Sequence, residues 1–217
     1  PVEVNFVIHN WNRLLAENLK RVLGTSWRET GLPAGESLPV DASPGQRFEW
    51  CKSALLHLDG IATKDQVFDA VSSCAHIFPS ELLEKIQHVY TTARSRGADP
   101  LAAVDAVLSF MQVDPGWIER DYSRQGLVIH QRKKPADPEA YAAAATDAER
   151  RAAYCFCPVI RSRLEAGMPA SYCYCGAGWY RQQWEAVTGK PVTVEIIHSV
   201  LKGDPFCEFA THLSPDI

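Results

Sequence analysis

Methionine is scarce in this chain, with only Met111 and Met168 among 217 residues. The thioether ligands that would mark a copper(I) site are therefore nearly absent. Basic runs are also missing. None exceeds Arg132-Lys133-Lys134, and the formal net charge is -4. Binding to nucleic acid without regard to sequence needs a basic face, so no nucleic-acid partner is expected. No apolar stretch approaches the roughly 20 residues needed to cross a bilayer, so no membrane partner is expected either. Residues Pro1 to Asn5 carry neither a basic n-region nor a long apolar run, so no secretory leader is expected in them.

The bulk composition is ordinary, at 46% hydrophobic and 22% charged residues. A chain of this length suits one domain with an elaborate periphery or two small ones, and buries a core without needing disulfides. Its seven cysteines are an odd number in a chain large for a disulfide scaffold. Reduced thiols and a cytoplasmic location are the expectation.

The first half has helical texture. Val7, Trp11, Leu14, Leu15, Leu19, Val22 and Leu23 recur on one face between Phe6 and Leu23. A Gly/Pro/Ser-rich stretch from Gly31 to Gln46 reads as a loop. Helices are then predicted over Trp50–Leu58, Asp65–Cys74, a segment opened by Pro79-Ser80-Glu81 with Ser80 as N-cap, and Leu101–Met111 after Asp99-Pro100. Beyond these the texture changes. Trp117–Tyr122 and Leu127–Gln131 suggest a hairpin, Pro135–Ala153 an exposed helix or an insertion, and Gly178–Thr188 a helix stopped by Gly189. Strands over Pro191–Leu201 and Phe206–Leu213 flank a Lys202-Gly203-Asp204-Pro205 turn. The expected fold class is α+β, with a helical region over residues 1–112 followed by helix and antiparallel sheet over 113–217 ending in a β-hairpin.

Four of the seven cysteines form two Cys-x-Cys pairs, Cys155-Phe156-Cys157 and Cys173-Tyr174-Cys175, and Cys207 closes a Gly-Asp-Pro-Phe-Cys turn. Clustered thiolates bind a soft or borderline metal, form a redox couple or act as nucleophiles. Within a strand, residues i and i+2 share a face, so each pair would present both sulfurs to one centre. Zinc in a tetrahedral thiolate site is the simplest outcome. Glu195 and His198 sit among Val and Ile in a predicted strand opposite Cys207, where a charge is costly unless it is paired or ligated. The candidate metal ligands are thus Cys155, Cys157, Cys173, Cys175, Glu195, His198 and Cys207. A cysteine-dependent hydrolase is the alternative, with Cys157 or Cys175 as nucleophile and His198 assisting. A thiol redox sensor is a third reading. Cys51 and Cys74 stand alone in helices and read as small buried hydrophobes. Trp179, Tyr180 and Tyr172, beside Gly176-Ala177-Gly178, are expected either in ordinary packing or as the wall of a small-molecule pocket.

The segment from Tyr172 to Leu213 contains Cys-Tyr-Cys-Gly-Ala-Gly-Trp-Tyr, then Gly189-Lys190-Pro191-Val192-Thr193-Val194-Glu195, then Lys202-Gly203-Asp204-Pro205-Phe206-Cys207-Glu208-Phe209. It resembles the end of the four-vinyl-reductase-type small-molecule-binding domains and the related L-2-amino-thiazoline-4-carboxylic acid hydrolase-like proteins. The resemblance covers about a fifth of the chain. It implies an α+β ligand-binding fold, often a homodimer. In sensor members it also implies a zinc ion held by cysteines and a glutamate. On that basis Glu195 matches the glutamate, Cys207 the hairpin cysteine, and His198 a position held by cysteine in the sensors, with Cys173 or Cys175 upstream. The helical first half has no counterpart in the resemblance. An exposed hairpin edge suits pairing across a dimer.

Overall fold

The structure, a computed structural model, describes residues 11–24, 39, 42–75, 77–114, 117 and 121–217. Its fold class is α+β: helices fill the first half, and a four-stranded antiparallel sheet occupies the second. The chain divides into two compact units, and neither is continuous in sequence. The first combines Pro1–His76 with Cys157–Gly178, and the second combines Ile77–Phe156 with Trp179–Ile217. The backbone passes between the units three times.

In the first unit, α1 (Trp11–Leu23) buries Trp11, Leu15 and Leu19, a stripe at four-residue spacing, and packs on α3. Residues 6–10 of the expected first helix lie outside the described residues, as does most of the Gly31–Gln46 stretch. Helix α2 (Pro44–Ile61) starts earlier than its apolar pattern suggested, because Ser43 and Gln46 form a reciprocal capping box with Pro44 in the first turn. Its buried stripe is Phe48, Cys51, Ala54, Leu55 and Leu58. Helix α3 (Lys64–Ser72) is opened by the equivalent box of Thr63 and Gln66, and it buries Val67, Ala70 and Val71. Arg21 on α1 pairs with Asp69 on α3 at 2.6 Å. The second segment of this unit is tied to α2, where Lys52 Nζ donates to the Ala166 carbonyl at 2.6 Å and Ser171 Oγ to Asp59 Oδ2 at 2.8 Å.

The second unit begins with α4 (Ser80–Ser95) and α5 (Pro100–Val113), which pack together. Asp99 caps α5 by accepting from Ala102 N at 2.9 Å, as its sequence signal predicts. Ser80 does not cap α4. The cap position is Pro79, with no side-chain bond, and Ser80 is the first helical residue. Strands β1 (Asp121–Gln125) and β2 (Val128–Arg132) form the expected hairpin, turning through Gly126 at φ 58°. Residues 118–120 of the expected first strand lie outside the described residues, and the strand runs on to Gln125.

The Ala-rich segment is two short helices, α6 (Pro138–Ala143) and α7 (Asp147–Tyr154), rather than one. Helix α8 (Tyr174–Thr188) gives its first turn to the first unit and the remainder to the second. Strands β3 (Thr193–His198) and β4 (Glu208–His212) complete a sheet ordered β1-β2-β4-β3. Phe209 contacts Tyr180 of α8, with ring centroids 4.8 Å apart. On the same face of the sheet, Gln131 Oε1 accepts from Trp184 Nε1 at 3.1 Å and from Thr211 Oγ1 at 2.9 Å, so the buried indole of α8 keeps a partner. No helix among the described residues is long and apolar enough to cross a membrane.

Candidate functional site

The first unit gathers Cys51, Cys74, Cys157, Cys173 and Cys175, five of the seven cysteines. Cys51 is on the buried stripe of α2, and Cys74 lies just past α3, where its thiol donates to the Ala70 carbonyl at 3.3 Å and accepts from Asn18 Nδ2 at 3.4 Å. Cys157 lies at the start of the unit's second segment and is half-buried. Tyr172 belongs to a short 3-10 helix, Ala170–Cys173, and Cys175 to the first turn of α8. The second Cys-x-Cys pair is therefore helical and not extended. Successive helical residues turn by about 100°, so positions i and i+2 leave on different sides. The shared-face geometry expected for a strand does not arise here. Tyr174, between the two thiols, packs against Phe68 with ring centroids 5.3 Å apart.

Close backbone approach fixes this region. A Cβ at Gly178 would lie 1.9 Å from the Ser72 carbonyl oxygen, so only glycine lets the start of α8 lie against the end of α3. That contact brings Cys175 to Cys74, whose carbonyl accepts from the Cys175 thiol at 3.6 Å. On the other side Cys157 Sγ lies 3.3 Å from the hydroxyl of Tyr172, which is buried. The Tyr172 ring rests against Trp11 at 5.6 Å, and Trp11 meets Trp50 edge-on at 6.3 Å.

The electrostatics of the cluster favour neutral forms of its buried members. Burial pushes the Cys51 thiol from its ordinary 9.0 up to about 12, and nearby Cys157 and Cys175 act in the same direction. Cys74 is raised well above its ordinary range, chiefly by burial, against the opposing Asn18 hydrogen bond. Tyr172 is also raised well above the usual phenol value. Burial is the main cause, followed by the charges of Cys157, Cys51 and Cys175 and the hydrogen bond to Cys157. The phenol therefore keeps its proton, and it is the donor whenever Cys157 carries a thiolate.

The remaining expected residues belong to the second unit. Cys155 caps the end of α7 and is buried. The first Cys-x-Cys pair is thus split, with Cys155 in one unit and Cys157 in the other. Glu195 pairs with His212 at 3.5 Å, and His198 with Asp204 at 3.6 Å. A register shift between Ile196 and His198 does put Glu195 and His198 on one face of β3, because they face Ala210 and Glu208 of β4. Their side chains nevertheless take different partners. Cys207 is raised above its ordinary value, chiefly by burial, with opposing contributions from a Val200 backbone hydrogen bond and the Lys133 charge. Trp179 packs on Phe78 at 4.3 Å, and Tyr180 is fully buried against Phe209.

Among the described residues, no group of three or more His, Cys, Asp and Glu side chains is placed to hold a metal ion. The expected donors are also divided between the units, three in the first and four in the second. What comes together instead is a thiol group around Tyr172 that includes Cys51. Sequence reasoning set Cys51 and Cys74 aside because each is alone in its helix; only tertiary packing brings them to the other thiols. Comparison with protein-family models, curated proteins and solved structures returned no match.

Proposed function

We propose that the first unit is a thiol reaction centre in which Cys157 acts as the nucleophile on a small electrophilic substrate, consistent with the hydrolase side of the resemblance. The observation that carries this reading is the 3.3 Å contact between Cys157 Sγ and the buried Tyr172 hydroxyl. A hydroxyl held against the sulfur can hydrogen-bond to it while it acts on a substrate. Cys51 and Cys74 do not suit the role, since burial keeps them protonated. Cys157, only half-buried, is open enough to meet a ligand. In the chemical step the Cys157 thiolate attacks an acyl or amidine carbon. A carbon–sulfur bond forms, the bond to the leaving group breaks, and the leaving group departs with a proton. Water then cleaves the intermediate and returns the thiol.

The test is a burst experiment with p-nitrophenyl acetate. A stoichiometric burst of nitrophenolate, with the acetyl group mapped to Cys157 and lost in Cys157→Ser, is the expected result. An acetyl group on another cysteine, or no burst, contradicts the assignment.

A thiolate-held zinc ion remains the second reading, and it rests on the two Cys-x-Cys pairs of the sequence. Elemental analysis of protein purified without added metal separates the two. One zinc per chain, retained against dialysis and lost with Cys157→Ser or Cys175→Ser, supports the metal reading.

A further inference from the structure

Two buried hydrogen-bond donors near Tyr172, one on Trp11 against its ring and one on Trp50 behind Trp11, have no acceptor among the described residues. Trp11 is 9% exposed, and its Nε1 is closed to solvent without a partner among the described residues. Trp50 Nε1 is in the same condition. An indole N–H is a donor only, and burying one unpaired costs about 1–3 kcal/mol. Each of the two is therefore a costly arrangement unless an acceptor reaches it, and the two rings meet edge to face. They are also placed where the thiol chemistry is, because Trp11 lies against Tyr172 and Tyr172 against Cys157. Trp50 directly precedes Cys51 on α2, and Arg47, whose positive charge acts on Cys51, lies one helical turn before them.

We propose that Nε1 of Trp11 and of Trp50 form the recognition end of the site, receiving an acceptor oxygen, a carboxylate or a carbonyl, of the small molecule that Cys157 addresses. The assignment rests on the reading of Cys157 as the reactive thiol. In this arrangement the indoles fix the oxygen end of the ligand, and the Tyr172–Cys157 contact marks the reacting end. Recognition by neutral N–H donors in a buried setting discriminates sharply against a ligand lacking the oxygen, since the donors would then stay unpaired.

The experiment follows the indole N–H resonances of the full-length 15N-labelled protein. Trp11 and Trp50 are assigned with Trp11→Phe and Trp50→Phe, or through proximity to the Tyr172 ring protons where a variant does not fold. The probes are acetate and acetamide. Saturable shifts of the Trp11 or Trp50 resonance, with the other four tryptophans still, are the expected result. Shifts with acetate alone mark a carboxylate, and shifts with both mark a carbonyl. No saturable shift, or a uniform drift of all six, overturns the proposal.

The second arm measures alkylation of Cys157 by iodoacetamide and by ethyl iodide, which has no acceptor oxygen. Losing one such hydrogen bond should slow iodoacetamide about tenfold in Trp11→Phe while leaving ethyl iodide unchanged. Equal slowing of both reagents overturns it. If the indoles shift but another cysteine is alkylated first, the reaction centre is misplaced and the acceptor site stands. If Cys157 leads but no indole responds, the acceptor site fails alone.

Discussion

Cys51 shows how a single residue couples the cluster to stability. Its thiol is held from 9.0 up to about 12, mainly because burial disfavours the thiolate. The folded state therefore releases this proton less readily than the unfolded chain. The resulting stabilisation is fully present below pH 9 and is lost as the pH rises from 9 toward 12, by up to about 4 kcal/mol. Urea unfolding at pH 8 and pH 10.5 should show a steeper alkaline loss for the native chain than for Cys51→Ala. Identical losses would mean that Cys51 ionises freely in the fold. The burial of Cys51 was legible, since it falls on a helical stripe with Phe48 and Leu55. Its nearness to Cys157 and Cys175 was not, because nothing in local spacing records which helix faces which loop.

At the scale of elements, the signals that rest on local hydrogen bonding were the most legible. Asp99-Pro100 opens α5 as its chemistry requires, and Gly189, at φ 67°, ends α8 where expected. The contrast between Thr63 and Ser80 makes the same point in reverse. Thr63 accepts from Gln66 N at 3.3 Å and closes a capping box, whereas Ser80 is inside the first turn of α4 with no capping bond. Thr63→Ala should cost about 1 kcal/mol, or about 2–4 °C in Tm, and Ser80→Ala should leave Tm nearly unchanged. Differential scanning calorimetry of the two variants checks this, and a larger loss for Ser80→Ala would reverse the assignment. The Cys-x-Cys pairs were harder to read. Alternating thiols look alike in a strand, a turn or a helix start, and the aromatic residues between them are compatible with all three. Gly178 lets the start of α8 lie against the α3 end, and Cys173 and Cys175 fall in the 3-10 turn and first helical turn just before it.

For the whole molecule, composition and texture sufficed for the α+β class, and the antiparallel sheet followed from its hairpin signals. The division into units was not legible from a linear reading. Cys157–Gly178 joins the N-terminal helices through contacts such as Lys52 to Ala166 and Ser171 to Asp59, and these span more than a hundred positions. This arrangement also distributes the thiols unequally, with five in the first unit and Cys155 and Cys207 in the second. The most direct measurement is a time-resolved map of alkylation across all seven cysteines of the native protein with substoichiometric iodoacetamide. Cys157 should be modified first, and Cys51 and Cys74 only on unfolding. Initial modification of Cys207 or Cys155, or equal rates at every site, would contradict a reaction centre in the first unit.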